Sequence, residues 1–85
     1  MKVLIPSALR SYAERGEVDA DGDTLAALLI DLDRRYPGIR FRMIDEQGQI
    51  RPHIRFFFDG TQLRELSQPL RAGGELIIVQ ALSGG

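Results

Sequence analysis

Most side chains that ordinarily do covalent chemistry are absent from this sequence or stand alone. The 85 residues include no Cys, one His (His53) and a single Lys (Lys2) against ten Arg. Without Cys there is no thiolate nucleophile, no disulfide and no zinc-thiolate site. His53 has no Asp or Cys motif beside it, so it reads as a polar residue at a strand edge rather than a proton shuttle, and one His makes no metal cluster. Amine chemistry is confined to Lys2 and the terminal amine. The remaining oddity is the end of the chain, Ala81-Leu82-Ser83-Gly84-Gly85. At average glycine usage, two at a given pair of positions occur about once in two hundred. Glycine offers a terminus no packing and loses the most chain entropy on ordering. By position alone the pair is either a frayed, functionless end or an end that is useful because it carries no side chains.

A chain of this length has room for one modest core, hence one domain. The composition is ordinary globular, 44% hydrophobic and 27% charged, with a net charge of -1. That balance lacks the basic footprint of a nucleic-acid binder. Apolar runs such as Leu25 to Ile30 are far too short to span a membrane. "MKVLIPSALR" has no signal-peptide apolar region. A soluble cytoplasmic domain is the default expectation.

Helical spacing is clearest after Gly22. Asp23 or Thr24 offers an N-cap oxygen, and Leu25, Leu28, Leu29, Leu32 and Tyr36 fall on one stripe. Pro37-Gly38 stops that helix, and Asp31 and Arg35 sit one turn apart on its outer face. Strands are expected at 2–5, ended by Pro6, and around Glu17 to Ala20. Residues 39–51 read as irregular, with Asp45 to Gly48 as a turn. "HIRFFFDG" alternates Ile54, Phe56 and Phe58 with His53, Arg55 and Phe57. Asp59-Gly60 then turns the chain into a short return strand at Thr61 to Leu63. Gly73-Gly74 is a tight turn before "ELIIVQ", a strand apolar on both faces and therefore central.

The order β-β-α-β-β-β predicts an α+β fold: a mixed sheet of about five strands with one main helix packed on one face. Pairing the last strand in parallel beside the first makes this the β-grasp, or ubiquitin-like, arrangement. The face away from the helix should show Leu4, Phe57, Ile77 and Val79, with Leu82 on the tail. That is an apolar docking patch, unless the face assignment slips by one residue and buries them. Arg34, Arg35, Arg40 and Arg42 cluster after the helix, but Asp31, Asp33 and Asp45 among them point to a self-neutralising surface. Gly22-Asp23 reads as helix punctuation.

Four stretches, "IPSALR", "GDTLAALLIDLDRRYPGI", "HIRFFFDG" and "LRAGGELIIVQALSGG", resemble in order and content the MoaD/ThiS family of ubiquitin-like sulfur carriers. The length of "RYPGIRFRMIDEQGQIRP" is more like the molybdopterin and cysteine-type branches than the thiamine one. The resemblance implies a β-grasp domain over residues 1–81 and a flexible tail over 82–85. It implies a protein cosubstrate rather than an enzyme: an E1-like adenylating enzyme, using ATP with Mg, activates the Gly85 carboxylate. A sulfur donor then displaces AMP, and the resulting thiocarboxylate serves a sulfur-accepting biosynthetic enzyme. Leu82, Ser83 and Gly84 would thread the partner's active site, and Leu4, Phe57, Ile77 and Val79 would dock it. No bound cofactor, nucleic acid, membrane or catalytic side chain is implied, and the carrier alone is expected to be a monomer. Alternatives within the resemblance are a molybdopterin synthase small subunit and a ubiquitin-like modifier joined through Gly85; outside it stands a binding module that never activates its tail. The destination of the sulfur is not written in these residues.

Overall fold

A computed structural model describes residues 1–81. Its main helix, α2 (Leu25–Arg35), follows directly from the leucine stripe: Leu25, Leu28, Leu29 and Leu32 are fully buried. Thr24 is the N-cap, its Oγ1 accepting from the Ala27 N–H at 3.2 Å. Two more orphan N–H groups of that first turn are satisfied from outside the helix. Leu25 N–H donates to the Gln68 carbonyl (3.0 Å) and Ala26 N–H to that of Leu66 (2.9 Å). On the outer face the Asp31 carboxylate accepts from Arg34, from Arg35 Nε and from the Asp21 N–H. The Asp21 backbone bond, followed by Arg34, pulls its pKa down to about 2.

The sheet has the order β2-β1-β5-β3-β4, from β1 (Lys2–Leu4), β2 (Glu17–Asp19), β3 (Ile54–Phe58), β4 (Thr61–Leu63) and β5 (Glu75–Gln80). β5 runs parallel to β1 and antiparallel to β3, and the remaining pairs are antiparallel. The β-grasp expectation therefore holds, with the last strand at the centre. Val3, Val18, Ile54, Phe56, Phe58, Leu63, Leu76 and Ile78 turn inward and join the α2 leucines in one core. The β3–β4 turn carries positive φ at both Asp59 (47°) and Gly60 (88°), which matches the twist of a two-residue hairpin.

Two segments differ from the expectation. Residues expected to be irregular begin with a short helix, α3 (Ile39–Met43), whose Ile39 and Met43 are buried. It is capped from within α2, because Asp33 Oδ1 accepts the Gly38 and Arg40 N–H groups at 3.1 and 3.0 Å. The β1–β2 connection holds a 3-10 turn (Ser7–Leu9) and α1 (Arg10–Ala13), which bury Leu9 and Ala13. α1 ends on Glu14 at φ 60°, with no glycine to announce it.

Gly22 does more than punctuate. A Cβ there would overlap the Leu28 backbone N and stand 2.6 Å from its Cα, atoms of α2 that cannot rotate aside. Gly22→Ala is expected to destabilise the domain by about 3 kcal/mol, the upper end of ordinary overpacking. That lowers Tm by more than about 10 °C in a thermal melt, whereas a Tm within a degree or two would show that α2 can shift to accept the methyl.

Candidate functional site

β5 carries the chain through the middle of the sheet and delivers it to one edge. One bond extends the pairing past the strand, from the Ala81 N–H to the His53 carbonyl at 2.8 Å. The expected tail residues Leu82, Ser83, Gly84 and Gly85 lie outside the described residues. The site is therefore built from its base and from the surface that leads to it.

The four patch residues share the sheet face opposite the core, so the face assignment is not displaced by one. Ile77 on β5 is directly opposite Leu4 on β1 and Phe57 on β3. Those three half-buried side chains form an unbroken apolar row across the three central strands. Val79, 38% exposed, lies two residues further along β5 towards the tail, opposite Arg55. Polar groups bound the row: Glu17 and Gln62 stand at its two ends, and Lys2 bridges Glu75 at 3.4 Å and Glu17 at 4.0 Å. An apolar centre with a charged rim is the composition of a protein-docking surface.

A cleft of about 300 Å³ opens beside the end of β5, lined by Phe41, Arg42, Arg51, His53 and Gln80. The Arg51 guanidinium lies 4.7 Å from the centroid of the Phe41 ring, a cation–π distance, and its Nε donates to the Phe41 carbonyl at 2.9 Å. His53 makes no side-chain hydrogen bond among the described residues, in keeping with a strand-edge residue. Among the described residues no three His, Asp or Glu side chains converge as a metal site. No described helix is long and apolar enough to cross a membrane.

The cationic cluster at the end of α2 and beyond it divides in two. Arg34 and Arg35 are neutralised by Asp31, as expected. Asp33 and Asp45 instead each use Oδ1 on backbone N–H groups, those of Gly38 and Arg40 and those of Gln47 and Gln49. Arg42 and Arg51 have no carboxylate partner among the described residues. Sequence reading missed this pair because its members are nine positions apart.

Residues 3–85 match the model of the ThiS family. The chain is 30% identical over 89 residues to the sulfur carrier protein CysO of Mycobacterium tuberculosis H37Rv, covering 98% of this chain and 96% of that protein. Its structure is similar to one in the Amycolatopsis orientalis BexX/CysO complex, with a TM-score of 0.91, 27% identity and coverage of 99% and 98%. It is also similar to the Haloferax volcanii small archaeal modifier protein 1, with a TM-score of 0.79, 26% identity and coverage of 96% and 97%.

Proposed function

The chain belongs to the ThiS family, and from that premise we propose that it is a sulfur carrier of the cysteine type whose reacting group is the Gly85 carboxylate. One observation carries the reading, the similarity to CysO over 98% of the chain; the family match, which runs through Gly85 itself, supports it.

The chemistry needs no side chain of this protein. An α-carboxyl group of pKa about 3.3–3.7 is ionised at neutral pH. One of its oxygens attacks the α-phosphorus of ATP, held with Mg by an E1-like enzyme, and pyrophosphate leaves. Hydrosulfide, or a donor equivalent to it, then attacks the acyl carbon; the acyl–oxygen bond breaks and AMP leaves with that oxygen. The product is a thiocarboxylate on Gly85, which passes its sulfur to an accepting enzyme. Glycine at the last two positions leaves no Cβ to obstruct a narrow channel and lets backbone approach the nucleotide closely.

In this reading the carrier is a protein cosubstrate that works as a cytoplasmic monomer. The tail 82–85 enters the partner's active site, and Leu4, Phe57, Ile77 and Val79 receive the partner's surface. Incubation with ATP, Mg, the cognate adenylating enzyme and a sulfide source should replace one terminal oxygen by sulfur in the intact mass. An unchanged mass with an enzyme proven active on ATP would overturn the reading. The likeness to an archaeal modifier protein favours a second use of the same terminus, an isopeptide bond to a lysine of another protein. Conjugates in a cell lysate that vanish when Gly85 is deleted would establish it.

A further inference from the structure

We propose that the cleft at the base of the tail, lined by Phe41, Arg42, Arg51, His53 and Gln80, docks an acidic surface segment at the mouth of the channel through which the adenylating enzyme receives the tail. This deepens the carrier reading and rests on it.

The short distance in sequence from Ala81 to the proposed reacting residue favours a contact here. Gly85 is four residues beyond Ala81, and four residues span at most about 13–14 Å. An enzyme that adenylates Gly85 must therefore bring its catalytic centre within that distance of Ala81. The walls around that centre then lie against the strand end, where the Ala81 N–H is bonded to His53 and where His53 and Gln80 are themselves part of the cleft.

Charge identifies what those walls present. Among the described residues the lining holds two guanidinium groups and no carboxylate, in a chain whose overall charge is -1, so the positive potential is local. Arg51 is already held in place by the Phe41 ring and carbonyl. Its remaining N–H groups need not pay much further ordering entropy to form a paired bond to a carboxylate. Phe41, 53% exposed, supplies an apolar floor that sheds water on contact. Paired charges of this kind act mainly on encounter and affinity, not on the chemical step.

The test is steady-state adenylation by the cognate enzyme at saturating ATP, with the carrier concentration varied. Arg42→Gln/Arg51→Gln is expected to raise the KM for the carrier about tenfold at low salt and to leave kcat within about twofold. The gap from wild type should narrow as salt is raised. Because Arg51 also supports Phe41, Arg42→Gln alone is the second variant; it touches no internal partner among the described residues and should raise KM about threefold. Arg15→Gln/Arg34→Gln removes the same charge elsewhere and should stay at the wild-type KM. An unchanged KM, an equal rise in the Arg15/Arg34 variant, or a loss in kcat instead of KM overturns the dock. A lower KM also overturns it, since the cleft would then be holding the carrier's own terminal carboxylate. A wild-type chain that is never adenylated sinks the carrier reading itself, a result distinct from variants adenylated as well as wild type.

Discussion

Deleting Gly85 alone is expected to abolish sulfur loading while the domain melts within a degree or two of wild type. The deletion leaves a carboxylate on Gly84, chemically the same group, so any effect comes from position. It retreats by about 3.5 Å, one extended residue, from a phosphorus atom that a nucleophile must approach closely and in line. Misplacement by about 1 Å already costs on the order of a hundredfold, so the shortened chain should load below detection. The described sheet pairing ends upstream of it, at the bond from the Ala81 N–H to the His53 carbonyl, and the melt is therefore expected to stay in place. Intact mass after incubation with the adenylating enzyme and a sulfide source reads the loss, and circular dichroism reads the melt. Loading at a wild-type rate would mean that the position of the terminal carboxylate does not limit the reaction. Binding to partners that do not use the tail should survive the deletion, which separates a carrier from a simple binding module.

Ile77→Asp is the second large effect. Ile77 stands at the centre of the row between Leu4 and Phe57, where an interface concentrates its energy in well-packed, desolvated residues. A buried carboxylate against an apolar partner surface should cost at least about 2 kcal/mol, a KM or Kd raised about thirtyfold. Gln62→Asp introduces the same charge at the polar end of the same row, beside Phe57, and should change binding less than about threefold. Titration calorimetry against the adenylating enzyme measures both. Equal affinities for wild type and Ile77→Asp would remove the patch from the interface and leave docking to the tail and its base.

Legibility followed the range of the physical signal. α2 was readable because eleven residues give the leucine stripe three turns in which to repeat. The patch was readable because successive side chains of a strand point to opposite faces and the DG turn fixes the register of the β3–β4 hairpin. α3 was not readable, since one turn of helix shows no period and its cap, Asp33, sits on the preceding element. Glu14 supplies the left-handed residue after α1 where glycine is the usual signal. The arginine cluster shows the same limit. Nearness along the chain counts Asp33 and Asp45 with Asp31 among the charges that neutralise the arginines, whereas backbone N–H groups take Oδ1 of both. Gly22 looked like punctuation because sequence does not reveal which backbone a glycine will touch.

The placement of β5 has a consequence for synthesis. The strand at the centre of the sheet is also the last element in sequence order, paired with β1 on one side and β3 on the other. An incomplete chain on the ribosome can form α2 and the β3–β4 hairpin, but it has nothing to join β1 to β3 and no Leu76 or Ile78 to close the core. Such long-range pairing comes late in folding. A chain broken off before Glu75 is expected to stay open and exposed to proteolysis, so that folding proofreads the polypeptide almost to the residue proposed to react.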